Sequence, residues 1–236
     1  MKYSAILFDM DGTLVPMDMK TFTNNFMEKL LKKVARPDIP NEVAIKNTWL
    51  GIKAMVKNDG KELNETVFTK CYQEMYGDEL TQEILKETIA FYQEDFWQVK
   101  EVVGENPYAK EAVRLAHEKA DMVILATNPF FPMVAQKERL RWVDLSSEDF
   151  DWITAYENSN FCKPNPNYYH MICEKMGLKP SECLMIGNDV KEDMKTCTEA
   201  GMDGYLVTDC VIPCEGYEWT GPSGTFIEML EFLRTL

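Results

Sequence analysis

Histidine is nearly absent from this 236-residue chain, which has only His117 and His170, and its seven cysteines form no Cys-x-x-Cys pair. A zinc centre would have few ligands to draw on. The chain is long enough to bury a core without staples, so an odd number of thiols reads as small buried hydrophobes in a reducing compartment. The Gly-x-Ser-x-Gly elbow of serine hydrolases and the Gly-x-x-x-x-Gly-Lys loop of P-loop nucleotide binders are both missing. No run of about 18 apolar residues exists to cross a bilayer, and Asp9 interrupts the opening apolar stretch before it could serve as an export signal. The expectation is a cytoplasmic protein without membrane contact. Basic charge is also short, with 25 Lys and Arg against 39 Asp and Glu and a net charge of −14. Such a field repels a phosphate backbone, so nucleic acid is not an expected partner.

What is present is a change of pattern along the chain. Tyr3 to Phe8 is short, apolar and ended by Asp9, as a buried parallel strand should be. From about Lys20 to Lys100 apolar residues recur at helical spacing, beginning with Phe22, Phe26, Leu30 and Val34, and turn signals divide the stretch into four helices. After Asn106-Pro107 strands and helices alternate. Strands are expected at 122–126, 152–156, 183–186 and 204–207, with helices at 107–119, 130–141, 166–176, 190–200 and from about 224. That alternation predicts an α/β fold, a doubly wound Rossmann-like parallel sheet, with an all-helical domain inserted after the first strand. The expected core comprises 1–14 and 105–236, and the inserted cap 15–104.

Polar residues gather where the strands end, which in an open parallel sheet is where ligands bind. Asp9-Met10-Asp11-Gly12-Thr13-Leu14 follows the first strand and offers two carboxylates beside a glycine able to turn sharply. Thr127-Asn128-Pro129 supplies a hydroxyl and backbone N–H groups suited to a phosphate oxygen. Lys163 lies in the loop Lys163-Pro164-Asn165-Pro166 before a helix, and Asp189 and Asp193 are four apart at a helix start, with oxygen donors suited to Mg²⁺. Singly, each has a plainer reading as a turn, a helix cap or a solvated lysine.

Taken together and in this order, the four segments resemble the haloacid dehalogenase superfamily, in its branch with a helical cap between the first two motifs, which includes phosphatases such as phosphoglycolate phosphatase and β-phosphoglucomutase-like proteins. The long interval from Asp9 to Thr127 leaves room for that cap, while Thr127 to Lys163 is too short for the large alternative one. The wording departs at Asn188, where many members carry the metal-binding Asp directly after Gly; Asp189 takes that role here. The resemblance implies a Mg²⁺-dependent hydrolase of a small phosphorylated metabolite. Asp9 would be the nucleophile and Asp11 the acid and base; Thr127, Asn128 and Lys163 would hold the phosphoryl group. Mg²⁺ would be bound by Asp9, the Asp11 carbonyl and Asp189, with Asp193 supporting Lys163 or a metal-bound water. A sugar phosphomutase shares these core residues, and a non-catalytic phosphate-binding regulatory member is the other alternative. A dehalogenase or phosphonatase fits poorly because Asp11 is present. Lys20, Thr21 and Asn24, just inside the cap, are the expected substrate-facing residues of a mobile lid. Oligomeric state is left open.

Overall fold

The computed structural model describes residues 2–236. Its centre is a parallel six-stranded sheet built from β1 (Ala5–Phe8), β2 (Met122–Leu125), β3 (Trp152–Ile153), β4 (Cys183–Gly187), β5 (Asp203–Val207) and β6 (Ser223–Gly224), in the order β3-β2-β1-β4-β5-β6. The first strand made is the middle one. Ala5 pairs with Met122 on one side and with Cys183 on the other.

Alternate side chains of β1 feed two cores, because successive residues of a strand point to opposite faces. Ile6 and Phe8 pack with α5 (Ala109–Lys119) and α9 (Phe226–Thr235), whereas Ala5 and Leu7 pack with α7 (Asn167–Met176) and the segment after β4. Both faces are covered, so the sheet is doubly wound, as its alternating pattern foretells.

Four helices occupy the insertion: α1 (Met19–Val34), α2 (Asn41–Val56), α3 (Asn64–Tyr76) and α4 (Asp78–Glu94), followed by a 3₁₀ turn at Phe96–Val102. The chain leaves the core and returns to it side by side, with Met17 bridged to Val103 and Gly104 N–H donating to the Pro16 carbonyl at 2.8 Å. Aromatic rings join the insertion to the core. Phe22 and Phe26 on α1 meet Phe131, and Phe22 and Phe96 meet Trp142, with Phe131 and Trp142 flanking α6 (Met133–Arg141). A second attachment lies at the start of α3, where Asn64 N–H donates to the Ser159 carbonyl and Asn160 Nδ2 to the Gly60 carbonyl.

Several boundaries differ from expectation for local reasons. The third strand stops at Ile153 because the Thr154 hydroxyl turns back to the Leu125 and Thr127 carbonyls and Asn158 bonds the Ile153 carbonyl. Helix α5 starts at Ala109 since Asn106 Oδ1 accepts from Tyr108 N–H. The helix expected at 190–200 is a π-helical turn, Val190–Lys195, running into the short α8 (Thr196–Glu199). Strand β6 has no counterpart in the sequence reading. All seven cysteines are unbridged, and among the described residues no helix is long and apolar enough to cross a membrane.

Candidate active site

Asp9 emerges from β1 between two neighbouring strands, its N–H bonded to the Ile186 carbonyl at 2.9 Å, and the residue is 7% exposed. The next residues form a tight turn. Gly12 has φ +88°, and a Cβ there would run into the Asn188 side chain. Thr13 closes the contact by donating its hydroxyl to Asn188 Oδ1 at 2.9 Å, while Asn188 Nδ2 donates to the Cys210 carbonyl at 2.7 Å. Asn188, the departure in the fourth segment, is therefore a strut between loops.

Lys163 is 1% exposed and donates to Asp9 Oδ1 at 2.8 Å and Asp193 Oδ1 at 2.6 Å. The loop lysine is thus a buried ion-pair centre, with the Tyr168 ring 5.7 Å away. Burial alone would lower its ammonium, but Asp193 and Asp9 outweigh that and hold it well above the usual lysine range. Burial, reinforced by the negative charges of Asp193 and Asp11, pushes the Asp9 carboxyl up against the pull of Lys163. Asp193 accepts from the N–H groups of Asn188 and Asp189 through Oδ2, both at 3.0 Å, so it ties Lys163 to the turn after β4.

The second aspartate has a partner that no local pattern announces. Asp11 Oδ2 is paired with the guanidinium of Arg139 on α6, a side chain with no exposure at all, while Asp11 Oδ1 is buried without a hydrogen bond. The Phe131 ring covers Arg139 at 4.4 Å. Arg139 also bonds Gln136 Oε1, Gln136 Nε2 donates to the Thr154 carbonyl at 3.1 Å, and the Thr154 hydroxyl donates to the Thr127 carbonyl at 2.6 Å. One buried chain of polar groups thereby links Asp11 to Thr127. Tyr168 adds to it, its hydroxyl donating to the same Thr127 carbonyl at 2.8 Å.

Asn128 places its side-chain amide against the Lys163 carbonyl at 3.3 Å and Glu192 Oε2 at 2.8 Å, which binds three loops together. Glu192 was not singled out in the sequence; burial pushes its carboxyl up to about 7. Asp189 caps the turn after β4 with Oδ1 alone, accepting from Lys191 and Glu192 N–H at 2.8 Å each, and burial raises its carboxyl above the usual range. The structure therefore brings Asp9, Asp11, Thr127, Asn128, Lys163, Asp189 and Asp193 to one end of the sheet.

The cap residues lie differently. Lys20, Thr21 and Asn24 are all exposed on α1, and Thr21 is engaged by Asp18, whose Oδ1 accepts from both its N–H and its hydroxyl. Lys20 borders an open cleft formed with Thr208–Ile212. The α1 face turned toward the other cap helices carries Met19, Phe22, Thr23 and Phe26 instead.

Matching against known families gives a profile of haloacid dehalogenase-like hydrolases over residues 3–201, most of the chain. The chain belongs to this family. Among curated proteins it is 26% identical over 210 residues to a phosphoglycolate phosphatase of Aliivibrio fischeri, covering 86% of this chain and 83% of that one. A shorter match, 36% identical over 58 residues, is to the glyceraldehyde 3-phosphate phosphatase of Methanothermobacter thermautotrophicus; it spans 25% of this chain and only 26% of that protein. The Bacillus subtilis HAD-hydrolase YfnB, solved bound to magnesium, superposes with a TM-score of 0.59 at 18% identity over 98% of both chains, a likeness of fold.

The donor set suits the Mg²⁺ the family implies. Five carboxyl groups, Asp9, Asp11, Asp189, Glu192 and Asp193, converge on two cations, Lys163 and Arg139. The excess negative charge and all-oxygen chemistry fit a hard divalent ion. Among the described residues no three acidic, cysteine or histidine side chains are already drawn into a cage. Asp189 retains Oδ2 beside its capping oxygen, and Asp9 retains the oxygen that Lys163 leaves.

Proposed function

We propose that the protein is a Mg²⁺-dependent phosphomonoester hydrolase acting on a small phosphorylated metabolite through an aspartyl-phosphate on Asp9. The observation that carries this reading is the division of labour between the two aspartates: Lys163 holds one oxygen of Asp9, and Arg139 holds one oxygen of Asp11 while the other stays unpartnered. Held by Asp9, Asp189 and the Asp11 carbonyl, Mg²⁺ would supply the charge neutralisation that phosphoryl transfer demands.

The remaining work belongs to the chain. Asp9 attacks phosphorus through one carboxylate oxygen in line with the leaving oxygen, forming the new P–O bond as the ester P–O bond breaks. Asp11 Oδ1 delivers its proton to the departing alkoxide, then takes one from the water that hydrolyses the aspartyl-phosphate, returning Asp9 as carboxylate and releasing phosphate. Thr127 and the Asn128 N–H grip the transferred oxygens, and Lys163 balances their charge, kept in place by Asp193. The phosphatase names of the curated relatives support the same reading.

Asp9→Asn is expected to abolish phosphate release from a panel of monoesters while leaving circular dichroism and melting intact, because an amide of the same shape is a poor nucleophile. More than a tenth of wild-type turnover in the folded variant would contradict the assignment. A chelator should silence the wild type and added Mg²⁺ restore it. Ca²⁺ should inhibit, since its larger and looser shell can draw in both Asp9 oxygens.

A further inference from the structure

Between α1, α2, α3, α4 and the Phe130–Phe131 segment of the core lies a cavity of about 220 Å³. It exceeds the roughly 150 Å³ of an engineered apolar cavity that takes up benzene. Its walls include Phe22, Phe26, Ile52, Tyr92 and Phe131, and no charged side chain lines it. Three of its hydroxyls are already occupied: Thr48 donates to the Ala44 carbonyl at 2.9 Å and shares a 3.0 Å contact with the Tyr72 hydroxyl, and Thr88 donates to the Ile84 carbonyl at 2.8 Å. Met19 and Trp49 line it too and are exposed large hydrophobics, which makes the rim apolar as well.

The cavity adjoins the chemistry. Phe130 and Phe131 follow Thr127-Asn128-Pro129 directly, and Phe131 both lines the cavity and covers the Arg139 that anchors Asp11. The connection between the cavity and Asp11 runs through the Phe131 ring and the Arg139 guanidinium beneath it.

We infer that the preferred substrate is the phosphate monoester of an uncharged, largely apolar alcohol bearing a ring or branched chain, whose hydrocarbon part fills this cavity. The inference rests on the phosphatase reading and specifies its substrate class. A second anionic group on the substrate, such as a carboxylate, would sit among aromatic rings with no cation to pair it and only the Thr23 and Tyr92 hydroxyls and the Trp49 indole N–H left to donate, and burying an unpaired charge is costly. An apolar ring there leaves water and loses nothing, and each added methylene in such a pocket is worth roughly ten-fold or more in discrimination.

The test compares esters of unactivated alcohols: cyclohexylmethyl phosphate, glycerol 3-phosphate and phosphoglycolate, assayed with Mg²⁺. The expected result is kcat/KM for cyclohexylmethyl phosphate at least about 30-fold above either of the others, given the discrimination an apolar pocket offers. Ile52→Trp, which fills the cavity, should cut that ratio by about ten-fold or more. Should Ile52→Trp fail to fold, Thr23→Glu, which brings a charge to the lining from α1, should lower the same ratio. Titration of the wild type with non-hydrolysable cyclohexylmethylphosphonate and with phosphonoacetate reads the preference without turnover. If phosphoglycolate or glycerol 3-phosphate is hydrolysed as well as or better than the apolar ester, the inference falls while the phosphatase reading stands. If no ester turns over, yet the apolar phosphonate binds tighter than phosphonoacetate and Ile52→Trp weakens it, the catalytic reading falls and takes the substrate with it, leaving the cavity as an apolar binding site alone. No preference in either assay overturns the inference.

Discussion

Arg139 decides what Asp11 can do. A carboxylate free to rotate would lose most encounters with a leaving oxygen, and the guanidinium removes that freedom by claiming one of its two oxygens. Arg139→Met should slow hydrolysis of alkyl phosphates on the order of 10²-fold, part of what acid–base assistance usually supplies. p-Nitrophenyl phosphate, whose leaving group departs without a proton, should suffer much less in its first step. Adding Arg139→Met to Asp11→Asn should cost little further, a non-additivity that a purely structural arginine would not produce. This pair was illegible in the sequence because its members stand 128 residues apart and neither belongs to a shared pattern. Asp9, Asp11, Thr127 and Asp189 were legible for the opposite reason: each follows a strand whose apolar run marks its end.

Another residue links burial to pH. Glu157 accepts from Met133 N–H at the start of α6 with both carboxylate oxygens, at 2.9 and 3.0 Å, yet burial pushes its carboxyl above the usual range. The folded chain therefore holds a proton that the unfolded chain has already lost above about pH 4.3. Its contribution is fully present below that unfolded value and is lost as pH rises through the higher folded one. Glu157→Gln should lower the melting temperature overall by weakening the cap, and should flatten its decline across this window. A melting series from pH 4 to 8 separates the offset from the slope.

Among elements, the turn after β1 and the turn after β4 are built against each other. Gly12 combines a positive φ with a close approach to Asn188. Gly12→Ala would meet both obstacles, and a loss of about 1–3 kcal/mol in denaturant unfolding is expected, accompanied by loss of activity. The sequence pattern carries the helices and strands because apolar periodicity reports burial. It does not carry the π-helical turn after β4, where Asp193 folds back onto the N–H groups of Asn188 and Asp189, nor the two-residue β6, which exists only because β5 offers it an edge. Contacts of that kind lie in tertiary structure and leave no local period.

For the molecule as a whole, the aromatic seam between α1 and α6 bears on lid motion. A cap swinging as one body would tear Phe22 and Phe26 from Phe131 and expose buried rings, at roughly 1.5–3 kcal/mol each. The attachment of Asn64 and Gly60 to Ser159 and Asn160 is smaller and mostly polar. Asn64→Ala removes a buried side chain that accepts from Asn58 Nδ2 at 2.9 Å. It should raise amide exchange across residues 58–66 well above that of α1, whereas equal rises in both would indicate whole-cap motion.

The bridge between Met17 and Val103 has a consequence for how the chain assembles. β1 is synthesised first, yet both its neighbours lie far downstream, so its pairing would ordinarily wait on closing a very long loop. An insertion whose two ends are hydrogen-bonded neighbours shortens that loop in effect: once α1–α4 have collapsed, Gly104 already lies against Pro16 and β2 is only one helix away from its partner. The helical block, whose contacts are local, can therefore act as the clamp that delivers the central strand to the sheet.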